Sequence, residues 1–107
     1  MDIDNKTAAI LEEYVSCGEK YISDRCKDML FELEPVCRET SIFKNAGRDF
    51  QEAPEFLKCK TSLELFRHMC LKIANAPTWL HAAGTPRLMI PLICERLRQE
   101  ENKEVIT

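Results

Sequence analysis

FLKCKTSLELFRHMCLKI, residues 56–73, sets the fold class. Phe56, Cys59, Leu63, Phe66, Cys70 and Ile73 follow one another in steps of 3, 4, 3, 4 and 3, which lines them up on one side of a helix but scatters them over both faces of a strand. Pro54 suits the first turn of such a helix, where its missing N–H would have no partner anyway, and Asp49 and Glu52 precede its positive end. Asn75-Ala76-Pro77 closes it, because the residue before a proline avoids helical backbone. The pattern predicts a helix over 54–74.

Upstream, Leu11, Val15, Ile22, Cys26, Leu30 and Leu33 keep the same spacing when Gly18 is counted into the stripe, and Ile10, Tyr14, Cys17 and Tyr21 widen it. Glu12, Glu13, Glu19, Lys20, Asp24, Lys27 and Asp28 fill the other side. This predicts one long helix over about 7–33, stopped or kinked by Pro35 and continued to Lys44. Asn45-Ala46-Gly47 reads as its end, with the glycine taking left-handed backbone. Two long helices joined there make an antiparallel hairpin, 7–44 against 54–74.

A third segment follows. Thr78 is a candidate cap for a short turn with Trp79, Leu80 and His81, which Gly84 would close; Thr85-Pro86 then reads as a helix start, and Pro91 as a bend in a helix reaching Glu101. At about 100° per residue, Leu88, Met89, Ile90, Leu92, Ile93, Cys94 and Leu97 cover most of its circumference. Such a helix either runs through the middle of a bundle or carries an interface. Strand-like alternation is nearly absent. The expected fold is therefore all-α, a small bundle of three to five helices built on the hairpin, one domain over 1–107 with frayed ends near 1–5 and 101–107.

The cysteines bear on the hairpin. Cys26 and Cys37 stand eleven positions apart, as do Cys59 and Cys70, and eleven helical steps return close to the starting direction. Cys26 with Cys70 and Cys37 with Cys59 have equal position sums, centred beside Gly47, so an antiparallel hairpin would set each pair face to face. Two disulfides, or four thiols filling an apolar seam, are both consistent with that register. The layout of 26–70 loosely resembles the twin-cysteine hairpins of mitochondrial intermembrane-space proteins, which usually enclose one residue fewer between paired cysteines and lack a counterpart of Pro35. That likeness implies an oxidised hairpin.

Composition bounds the function. The chain has 107 residues, 15 Lys+Arg against 18 Asp+Glu and a net charge of -3, without a dense basic stripe, so nucleic acid and anionic membranes are poor partners. No uncharged apolar run is long enough to span a bilayer. Residues 1–10 show no secretory leader, which favours the cytoplasm, whereas oxidised cysteines would favour a secreted or intermembrane-space protein. Asn5-Lys6-Thr7 fits a glycosylation sequon, a pattern short enough to arise by chance.

No catalytic set emerges. The three glycines are too scattered for a phosphate loop. His68 and Cys70 diverge on a helix, and no Cys-x2-Cys unit exists, so neither zinc nor another cofactor is expected. His68 reads as a polar flank between Glu64 and Lys72, His81 as a loop residue, Glu12-Glu13 and Glu100-Glu101 as solvating charges, and Tyr14 and Tyr21 as rim packing. The expected function is non-catalytic protein binding or self-association through the last helix, with Trp79, Leu88, Met89, Leu92 and Ile93 as anchors. The competing expectation is an extracellular carrier of a small apolar ligand, framed by three disulfides.

Overall fold

Three hydroxyl side chains punctuate the chain. Ser23, Thr40 and Thr61 each sit in extended backbone and accept a hydrogen bond from the amide three residues on, at Cys26, Phe43 and Glu64. Each satisfies an N–H that the first helical turn leaves without a partner. The computed structural model describes residues 3–106, and their side chains except those of 79–82 and 103–106. It contains α1 (Ile3–Ser16), α2 (Asp24–Arg38), α3 (Ser41–Gln51), the single turn α4 (Pro54–Leu57), α5 (Ser62–Ala74) and α6 (Trp79–Ile106). The described residues include no strand, and the all-α class holds.

The long helix expected over 7–33 is two helices. Gly18 and Glu19 take φ of 68° and 60°, and Gly18 N–H bonds to Val15 O while Glu19 N–H bonds to Tyr14 O. This is a Schellman cap, so Gly18 ends α1 instead of filling its apolar stripe. Pro35 lies inside α2 and does not stop it before Arg38. Gly47 marks no turn: it is buried within α3, where a Cβ would come 2.8 Å from the Phe43 ring.

The stretch 54–74 is likewise divided. Thr61 and Glu64 form a capping pair in which Glu64 accepts from the Lys60 amide, and Cys59 falls in the break before it. The face that α5 buries carries Ser62, Leu65, Phe66 and Met69, while Leu63, Cys70 and Ile73 flank it half-buried.

α6 is uninterrupted through Gly84, Pro86 and Pro91, so the starts and stops read at 78–86 do not divide it. Its 28 residues span about 42 Å at 1.5 Å per residue, matching the molecule's longest dimension of 43 Å. α5, α2 and α3 pack most extensively on α6, and α1 packs on α2. α5 therefore packs most extensively on α6, not on the α1–α2 side of the expected hairpin. Met89, Ile90, Ile93, Cys94 and Leu97 are all buried; of the two readings of this apolar helix, central burial is the one observed.

Polar side chains fix helices onto that spine. Glu34 of α2, 5% exposed, receives both terminal nitrogens of Arg98 and, at 2.9 Å, Nη2 of Arg38. Arg98 also lies over Phe31 at 5.3 Å and Arg38 over Phe43 at 5.4 Å. Glu100, expected to be a solvating charge, instead accepts from the Ser62 amide at 2.8 Å and hydroxyl at 2.6 Å. It places a carboxylate on the positive end of α5.

Candidate functional site

Two of the five residues expected to anchor a partner lie inside the molecule. Met89 and Ile93 are fully buried in the core, Leu92 packs half-buried against it, and Leu88 is half-buried. The side chain of Trp79 lies outside those described. Met89 and Ile93 therefore cannot touch a partner while the bundle is folded, whereas Leu88 and Leu92 keep part of their surface open.

The outer face of α5 offers a different surface. Because Leu65, Phe66 and Met69 point into the core, Arg67, His68 and Leu71 are turned away from it. Leu71 is 61% exposed. Two open grooves, of about 410 and 450 Å³, flank it and share His68 and Leu71 as lining residues.

Each groove has a wall held by hydrogen bonds. On one side Arg67 Nη2 donates to Glu19 O at 2.8 Å and Nε to Tyr14 Oη at 3.1 Å, while Tyr14 Oη donates to Glu19 O at 3.0 Å. Arg67 thereby clamps the left-handed α1–α2 turn against α5. Tyr14 also meets Phe66 edge-on at 4.7 Å. Burial raises its phenol pKa, with Arg67 partly opposing the rise. On the other side Glu55 of α4 lies 3.3 Å from both His68 Nε2 and Lys72 Nζ, and Phe56 packs beneath against the His68 ring. His68 thus pairs with Glu55, not with its helix neighbours Glu64 and Lys72.

The thiols form no bridge. All six cysteines are free and none stands at disulfide distance. Charge on Cys26 contributes to raising the Cys70 pKa, but the two form no bridge. Cys37, however, is in the same relation to Cys94, not to Cys59; α6 has taken the place opposite α2 that the hairpin assigned to 54–74. Cys26 Sγ donates to Ile10 O at 3.6 Å and Cys37 Sγ to Pro86 O at 3.9 Å. Burial pushes the Cys37 thiol up to about 11 and those of Cys70 and Cys94 up to about 12. A thiol so protonated at neutral pH is a poor nucleophile and a poor metal ligand.

Further chemistry is thin. No group of three His, Cys, Asp or Glu among the described residues is placed to hold a metal ion, and no described helix is long and apolar enough to cross a membrane. A recess lined mainly by apolar side chains, between Thr7, Leu11, Ile73 and Pro86, measures about 60 Å³, far below the roughly 300 Å³ at which small-molecule pockets begin. Thr7 of the sequon is buried with its hydroxyl donating to Ile3 O at 2.7 Å. No signal in the sequence singled out this surface: Leu71 falls outside the apolar stripe of 56–73, but so do Leu65 and Met69, which are fully buried. Comparison with known families, curated proteins and solved structures gives no match.

Proposed function

We propose that the protein is a non-catalytic protein-binding module whose contact surface is the outer face of α5, centred on Leu71. The observation that carries this reading is a 61% exposed leucine between two grooves, whose walls are tied down by Arg67 and by Glu55. A large apolar side chain in a surface ordered before binding costs little additional entropy to engage, and such a residue with a polar rim has the composition of an interface core. The raised pKa values of Cys37, Cys70 and Cys94 tell against those three thiols as nucleophiles, and the free thiols tell against a disulfide-framed carrier. A partner protein and a second copy of this chain both fit such a surface.

The test is site-specific photo-crosslinking from position 71 in cells making the protein, with position 57 as control, since Leu57 is 71% exposed but lines neither groove. A specific adduct from position 71 alone, identified by mass and then rebuilt from purified components, is the expected result. Leu71→Asp should abolish that purified complex and Leu57→Asp should not, both variants remaining folded by circular dichroism. Equal adducts at both positions, no adduct at 71, or a complex indifferent to Leu71→Asp would overturn the proposal. An adduct of the chain with itself identifies the second copy, and light scattering then gives its stoichiometry.

A further inference from the structure

We draw no further inference here: the strongest candidate, the pair of grooves along the outer face of α5 on either side of Leu71, belongs to the surface already proposed, and nothing in the structure shows which partner covers it.

Discussion

Among the described residues Glu34 is the one buried carboxylate, and its surroundings show what a buried charge requires. Burial raises its pKa, but hydrogen bonds from Arg98 and Arg38, together with their charges, outweigh that and leave it lowered. Removing the charge strands two arginines that are held over Phe31 and Phe43. Glu34→Gln should cost about 1.5–3 kcal/mol at pH 7, the range for a hydrogen bond to a charged group. Both arginines are partly open to water, which holds the loss at the lower end of that range. Because the folded pKa lies below the unfolded one, near about 4.3, this stabilisation is present above the unfolded value and lost as pH falls through the folded one. Urea titrations should show the gap between parent and variant narrowing below about pH 4; a gap that stays constant with pH would show that the loss comes from shape instead of charge. Nothing in the sequence pointed to this clasp, since Glu34 and Arg98 are 64 positions apart and each looks like an ordinary solvated residue on its own helix.

Among helices, glycine is where local reading and packing diverge. Gly47 and Gly84 both lie inside helices, in α3 and α6, although the sequence suggested that Gly47 ended a helix and Gly84 closed a short turn. Alanine in a helix interior is ordinarily better than glycine by about 1 kcal/mol. At Gly84 nothing lies within 4 Å of an added Cβ, so Gly84→Ala should raise stability by up to about that amount. At Gly47 the Cβ would strike the Phe43 ring at 2.8 Å, and overpacking of this kind costs about 1–3 kcal/mol. Gly47→Ala should therefore lower the thermal midpoint while Gly84→Ala raises it, and shifts of the same sign would refute the packing explanation for Gly47. The same ambiguity explains the helix boundaries. Gly18 fits both an apolar stripe and a left-handed cap, and periodicity alone cannot separate them. Ser23 and the Thr61/Glu64 pair were present as start signals, but the stripes running across them suggested unbroken helices. Pro86 and Pro91 misled in the other direction: the local cost of an interior proline, about 3 kcal/mol, is exceeded in α6 by burying Met89, Ile90, Ile93, Cys94 and Leu97 at about 1.5–3 kcal/mol for each large side chain.

Taken together, the helices already cover their own core. The accessible surface is 6628 Å² for 12.4 kDa, close to the roughly 6,100 Å² that scaling gives for a folded monomer of that mass. That is why the all-α class and the apolar character of the last helix could be read from periodicity, whereas the candidate surface could not: whether a greasy helix is central or exposed depends on which helices surround it. The thiols report this burial directly. Intact mass should be unchanged by reductant, and Cys37 and Cys94 should resist alkylation at neutral pH until denaturant opens the core, their reaction following the equilibrium of opening. Rapid labelling of either in native buffer would contradict their burial where α2 packs on α6. The sharpest contrast is between one core residue and one surface residue. Met89→Asp puts a carboxylate where no water reaches, a loss of at least about 4 kcal/mol from a stability of about 5–15 kcal/mol, so the variant should melt far below the parent or be unfolded at 25 °C. Leu71→Asp alters a side chain already in water and should stay within about 0.5 kcal/mol. Parallel circular-dichroism melts measure both. A cooperative, parent-like melt for Met89→Asp would mean that α6 is not the spine on which the other helices assemble, and a collapsed Leu71→Asp would mean that the outer face of α5 is already engaged within the chain, leaving no surface there for a partner.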